Sequence, residues 1–208
     1  MLTISHLAQK GDPHAACFSH VVAALRSAAA HFPDADGTVY VGAHIVGGNV
    51  PDGVNIYNFE QVGEDNPWMS EAYIANCRKA RLWDYSSANV RAWKEIYGID
   101  AELLPLGYDP AMTGVVTRGK GKLLPPSFYG STNERRLAIL HTMPHGRFPN
   151  PCYGAALDLA LSSAACVLNI HYYERAIFEI VRCSYLFANA VPVMSEESAD
   201  GHDYAHIP

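Results

Sequence analysis

VLNIHYYERAIFEIVRCSYLFANAVPVMSEE, residues 167–197, decides the fold. With Cys166, its aliphatic start predicts a strand over 166–170, and a largely apolar helix follows over 175–190. A second strand runs over 191–195. A strand, a helix and a strand joined this closely form a parallel crossover unit. The junction between the first two elements holds His171, Tyr172, Tyr173 and Glu174, with Glu179 and Arg182 on the helix behind it. In an open parallel sheet, ligands bind beyond the carboxyl ends of the strands. That rule turns a charged junction into a candidate site.

Working outward, the same alternation recurs. Strands are predicted over 2–7, 38–43, 54–59, 82–85, 103–106 and 127–129, the last followed by a tight turn at Gly130-Ser131. Helices are predicted over 14–30, with Asp12-Pro13 as its start, over 67–79, and from a cap at Ser86 or Ser87 to the stop at Gly98. Two more cover 133–143 and 153–164. Residues 109–125 break the pattern with Thr-Gly, Arg-Gly-Lys-Gly-Lys and Pro-Pro, which reads as an interdomain linker. Strands alternating with helices on both sides of it imply an α/β protein with two small Rossmann-like parallel-sheet domains, over 1–108 and 126–208.

Composition narrows the function. At 208 residues the chain has room for two small cores. Its 49% hydrophobic and 17% charged residues exclude wholesale disorder. A net charge of -6 argues against a large nucleic-acid surface, leaving Arg118, Lys120 and Lys122 as the one basic run. The N-terminus lacks the features of a signal peptide. No apolar run reaches the roughly 18 residues of a membrane span. Five cysteines without a Cys-x-x-Cys pair fit reduced, buried thiols in a cytoplasmic protein.

Three strand-to-helix junctions in the second half carry the candidate residues. At Gly130-Ser131-Thr132-Asn133, glycine lets the backbone approach a ligand and the helix N-terminus favours an anion. Arg135 or Arg136 in the first turn is placed to clamp a diphosphate. At the second junction, Glu179 is expected in the first turns of its helix, with Arg182 on the same face. The third, Val193-Met194-Ser195-Glu196-Glu197, again ends an apolar strand in a hydroxyl and carboxylates.

The blocks FYGSTNERR (128–136) and VLNIHYYERAIFEIVRCSYLFANAVPVMSEE (167–197) together resemble the GT-B class of nucleotide-sugar glycosyltransferases, with a C-terminal domain like that of group 1 transferases. LWDYSSANVRAWKEIYGIDAELLPLGYDP (82–110) and VNIYNFEQV (54–62) are similar to the end of the N-terminal half in such proteins. The resemblance covers roughly residues 54–197 and implies a minimal GT-B architecture: an acceptor-side N-terminal domain and a donor-binding C-terminal domain. It implies that Glu179 holds the nucleotide ribose, that Gly130, Ser131 and Arg135 approach the diphosphate, and that His171, Tyr172, Tyr173 and Glu174 face the sugar. Tyr108 would close over the base or phosphates. Glu174 and Glu179 are five residues apart, against the eight common in retaining members, so the anomeric outcome stays open. The chain also ends at Pro208 without the final helix that in this class crosses back to the first domain, which suggests a minimal form or one completed by a homodimer partner.

The donor expected is a nucleoside diphosphate sugar, and no metal or other cofactor is expected, since helix N-termini and arginines can stabilise a diphosphate leaving group. Asp34-Ala35-Asp36 reads as a turn. His141 and His145 lack a third zinc ligand and are separated by Pro144. An inverting transfer needs a base near the acceptor, for which His14 and Glu60 are suitably placed, and His20 and His44 less so. The acceptor stays open among polysaccharide, protein and small molecule, with modified DNA below them. An epimerase on the same scaffold and a catalytically silent binding module are the alternatives.

Overall fold

The structure is a computed structural model that describes residues 1–7, 16–46, 50–115, 124–144, 146–147 and 152–205. It divides into two compact units, Met1–Gly107 together with Asp200–Pro208, and Tyr108–Ala199.

The first unit is built on strands β1 (Leu2–His6), β2 (Gly37–Val41), β3 (Asn55–Asn58), β4 (Arg81–Asp84) and β5 (Ala101–Leu103). All neighbours are parallel, and the strands lie side by side in sequence order with no reversal. Helices α1 (Ser19–Ala29), α2 (Ala43–Val46), α3 (Glu71–Lys79) and α4 (Ser87–Tyr97) make the connections. Helix α4 shows why the boundaries fall where they do. The Ser86 hydroxyl accepts the Asn89 N–H at its start, and Gly98, at φ 65°, takes the left-handed conformation at its end. Tyr73 and Cys77 of α3 and Ala92 and Trp93 of α4 join Ile56 and Leu82 of the sheet in one core.

The second unit has strands β6 (Ser127–Phe128), β7 (Gly146–Arg147), β8 (Val167–Asn169) and β9 (Val193–Ser195), in the parallel order β7-β6-β8-β9. Its helices are α5 (Glu134–Leu140), α6 (Ala155–Ser163) and α7 (Ile180–Ala188). Phe128, Leu140, Leu168 and Ile170 pack together over the sheet. Here the strand order does reverse. The chain goes from β6 to β7 on one side and then returns to place β8 on the other.

The α/β class and the parallel sheets agree with the sequence, and several boundaries differ, among them the strand expected over 103–106, which is found at Ala101–Leu103. Helix α3 begins at Glu71 rather than at Pro67, because Ser70 supplies the cap that Pro67 cannot, accepting the Tyr73 N–H at 3.2 Å. The helix expected from Arg175 begins only at Ile180. Ala176 sits at φ 52°, which no helix accommodates, and the backbone of 170–172 is bonded to α5 instead. Finally, the chain does return to its first unit. Asp200–Pro208 belongs there, and Gly201–Tyr204 forms a 3₁₀ turn, so the expected second domain over 126–208 loses its last segment. The described ends of the expected linker also belong to the second unit. The Asn189 side chain accepts the N–H groups of Gly114 and Val115, both at 2.8 Å, and donates to the Met112 carbonyl. Arg118, Lys120 and Lys122 lie outside the described residues.

Candidate functional site

A reversal in strand order leaves a crevice at the carboxyl ends of the two central strands, because the following helices leave on opposite sides. In the second unit those strands are β6 and β8. Tyr129-Gly130-Ser131 follows the first and Ile170-His171-Tyr172 the second. The sequence-predicted residues Gly130, Ser131, His171 and Tyr172 therefore converge on one edge of the sheet.

Helix α5 stitches the two loops together. Asn133 caps it, accepting the Arg136 N–H at 2.9 Å. Three of its side chains then bind three consecutive carbonyls of the facing loop. Arg136 Nε donates to Ile170 at 2.8 Å, Arg135 Nη1 to His171 at 2.9 Å, and Asn133 Nδ2 to Tyr172 at 2.7 Å. The three loop carbonyls are thus satisfied from outside, which ties the loop to α5.

At the centre lies a buried charge cluster. Glu179 occupies the N-cap position of α7, but its side chain makes no capping bond. Its Oε1 accepts from Arg136 Nη2 at 2.5 Å and from the Tyr172 N–H at 3.3 Å, while Oε2 pairs with Arg182 Nη1 at 3.1 Å. Three of the roughly four acceptor positions of a carboxylate are thus engaged. Burial alone would raise this carboxyl, but the Arg182 and Arg136 guanidiniums outweigh it and hold Glu179 below the usual carboxylate value. Burial, together with the Arg182 charge, lowers Arg136, against the opposing pull of Glu179. Both arginines lie over aromatic faces, Arg136 on Phe128 and Tyr172 and Arg182 on Phe128 and Tyr129, at 5.1–5.5 Å. Two guanidiniums against one carboxylate give this three-residue cluster a surplus positive charge.

Gly130 makes the cluster possible. Its φ of 114° is a conformation that side-chain-bearing residues rarely adopt, and a Cβ there would stand 2.8 Å from Arg182 Nη2. The guanidinium occupies the space the missing side chain leaves.

Arg135 has a different role from its neighbour. It grips Glu196 with two bonds, at 2.9 and 2.7 Å, in addition to the His171 carbonyl. Glu196 also accepts the His171 N–H at 2.7 Å. Burial would raise this carboxyl too, and the Arg135 and His171 hydrogen bonds bring it below its ordinary value. His171 is buried, with Nε2 at 3.2 Å from both the Glu197 carbonyl and the Ser198 hydroxyl, and Nδ1 has no hydrogen-bond partner. Beneath them Asn169 joins Arg182 to Ser195. The third junction thus feeds the same network as the second.

The other candidates are more scattered. Tyr172 and Tyr173 stack edge to face at 5.0 Å, Glu174 is exposed, and Tyr108 is 68% exposed in the second unit. His14 lies outside the described residues. Glu60 belongs to the first unit, where its Oε1 lies 3.3 Å from Nε2 of His44. That imidazole is buried between the edges of Phe18, Trp68 and Tyr73. Sequence reasoning ranked His44 below Glu60, and what unites them is the tertiary approach of the segments after β2 and β3. It also gave no role to Asn133 and Glu196, whose long-range bonds no local pattern announces. A capping residue two positions ahead of a double arginine was the available signal.

Among the described residues, no group of three or more His, Cys, Asp or Glu side chains could hold a metal ion, and no helix is long and apolar enough to cross a membrane. Burial pushes the Cys77 and Cys183 thiols up to about 12, so both stay protonated and inert at neutral pH. Compared with known proteins, the chain matches no family model, no curated protein and no solved structure.

Proposed function

We propose that the chain is a glycosyltransferase that binds a nucleoside diphosphate sugar on its second unit and passes the sugar to an acceptor without a metal. The observation that carries this reading is the net-positive Arg136–Glu179–Arg182 cluster beneath the Gly130 turn, at the switch point of a parallel sheet. A diphosphate is the ligand chemistry such an edge favours: a glycine-lined backbone, a helix start and two guanidiniums. The motif resemblance supplies the sugar.

Within this reading, Arg182 takes the clamping role, since Arg135 is committed to Glu196 and Arg136 is buried with its donors on Ile170, Ser131 and Glu179. Glu179 holds the two guanidiniums in register and offers its remaining acceptor position to one ribose hydroxyl. Gly130 and Ser131 let the backbone approach the phosphates, while His171, Tyr172, Tyr173 and Glu174 lie on the loop facing the sugar. Tyr108 closes over the base. Leaving-group charge is stabilised by fixed guanidiniums rather than by a bound cation. Glu60, next to His44, is the base that takes the acceptor proton.

A thermal-shift panel of nucleoside diphosphates and their sugars tests donor binding. Stabilisation by one nucleotide family, lost in Arg182→Ala, is the expected result. No stabilisation by any member overturns the reading. Donor turnover without acceptor would favour an epimerase, and binding with neither hydrolysis nor transfer a silent module.

A further inference from the structure

Three buried polar side chains of the first unit, Asn58, Asp84 and Asn89, converge on one peptide, and the donor site uses none of them. Asp84, at the carboxyl end of β4, accepts four hydrogen bonds: from Asn58 Nδ2 at 2.7 Å, Trp93 Nε1 at 2.9 Å, Asn89 Nδ2 at 3.0 Å and the Ser86 N–H at 3.0 Å. All four donors are N–H groups, so each asparagine turns its nitrogen, not its oxygen, toward the carboxylate. That orientation fixes what the rest of each amide does. Asn58 Nδ2 also donates to the Glu60 carbonyl at 2.7 Å, and Asn89 Nδ2 to the same carbonyl at 2.9 Å. Asn58 Oδ1 accepts the Glu60 N–H at 3.1 Å and the Tyr73 hydroxyl at 2.8 Å. Asn89 Oδ1 accepts the Val62 N–H at 2.9 Å. Both backbone groups of Glu60 are thereby held by side chains, one from the end of β3 and one from the first turn of α4.

We propose that Asn58 and Asn89, braced by Asp84, are positioning residues that aim the Glu60 carboxylate at its contact with His44. Their part in the chemistry rests on the reading of Glu60 as the base. A turn after a strand needs its backbone groups satisfied, and water does that at a sheet edge without burying a charge. Here a carboxylate and two amides are buried instead. The peptide they share belongs to Glu60, whose side chain keeps 12% exposure and lies 3.3 Å from His44 Nε2. His44 sits on α2, with its ring against the edges of Phe18, Trp68 and Tyr73. Tyr73 joins the two sides, since its ring packs on His44 and its hydroxyl donates to Asn58. Glu60 is thus held through its backbone by the asparagines and through its carboxylate by the imidazole. A base that must meet a reacting hydroxyl at hydrogen-bond distance requires such placement.

The His44 Nε2 resonance, read by proton–nitrogen correlation NMR on the full chain, reports the contact without any ligand. Glu60→Gln sets its value when the carboxylate is lost. Asn89→Ala should move the resonance toward that value, and should move it no further when added to Glu60→Gln. A resonance unchanged by Asn89→Ala overturns the proposal. So does an equal displacement in both backgrounds, which marks a change in the fold rather than one acting through Glu60. Should Asn89→Ala fail to fold, Asn58→Ser takes its place under the same criteria. Chemistry gives a second readout, the release of nucleoside diphosphate from the nucleotide sugar that stabilises the chain, with water as acceptor. Glu60 takes a proton from water, the water oxygen bonds to the anomeric carbon, and the bond from that carbon to the diphosphate oxygen breaks with its electron pair. In Asn89→Ala, kcat should fall about tenfold to a hundredfold with the donor KM unchanged, and in the Glu60→Gln background it should fall no further. Losses that simply add overturn the proposal. If no nucleotide sugar stabilises the chain, or Glu60→Gln alone releases diphosphate at the wild-type rate, the base reading is what fails, and the His44 resonance by itself decides the positioning.

Discussion

Arg136 Nη2 lies 2.5 Å from Glu179 Oε1, bridging a helix that follows β6 and one that follows β8. The two residues are far apart in sequence, and the pair closes the switch point of the second sheet. Truncating one member of a buried ion pair leaves the other uncompensated. Glu179→Gln exposes two arginines to that loss. The expected cost is about 2–3 kcal/mol, below the roughly 3–5 kcal/mol of a fully buried pair because Glu179 keeps some solvent access. Urea denaturation measures it, and an unchanged midpoint would remove the cluster as a stabilising element.

Gly130→Ala should be disproportionately harmful for a change of one methyl. The backbone strain at φ 114° costs about 1–3 kcal/mol, and the new Cβ pushes against Arg182. Denaturation and nucleotide titration report the two effects separately. Wild-type nucleotide affinity in this variant would show that the Gly130 turn does not touch the ligand.

The acid limb of the stability curve has a defined sign. Glu179 and Glu196 are both held below their ordinary values, so each contributes stability that is present above the usual carboxylate range and lost as pH falls through the lowered value. Denaturation midpoints should decline once pH drops below about 4.5. Glu179→Gln should flatten part of that decline, and a slope identical to wild type would assign the acid sensitivity elsewhere.

Trp93 is 0% exposed, and its indole N–H is one of the four donors on Asp84. Trp93→Phe removes that donor and opens a small cavity in the core of the first unit. A loss of about 2–4 kcal/mol is expected from the two effects together. Asp84 should also titrate at higher pH, read by carboxyl-carbon NMR. A titration point that stays put would mean the indole bond contributes nothing to its charge.

Glu60→Gln separates chemistry from binding. The change is nearly isosteric, so nucleotide-induced stabilisation should be retained while sugar transfer falls by about 10²–10⁴, the usual contribution of a general base. Full transfer activity would exclude Glu60 as the base.

Much of the fold was legible because local chemistry decides it. Ser86 and Gly98 bound α4 through a cap and a left-handed stop, both readable in the sequence, and the β-rich run at 54–59 contains β3 while that at 82–85 overlaps all of β4 but Arg81. Where local signals competed with distant partners, the reading slipped. Arg175–Glu179 has an ordinary helical composition, yet it stays outside α7. Its neighbours' carbonyls bond Asn133, Arg135 and Arg136, and Ala176 takes a positive φ.

The sequence by itself determined an α/β chain of parallel strands, placed Gly130 and His171 at strand ends, and marked Glu179 and Arg182 as neighbours on one face. Only the tertiary structure decided which arginine meets Glu179. Arg135 and Arg136 are adjacent and chemically identical, and α5 turns the first toward Glu196 and the second toward Glu179. It also returned Asp200 to the first unit, beside Ser86, 114 residues away in the chain. Periodicity reports which face of an element is buried. What that face meets is settled when distant charges and hydrogen-bonding groups must all find partners in the same closed interior.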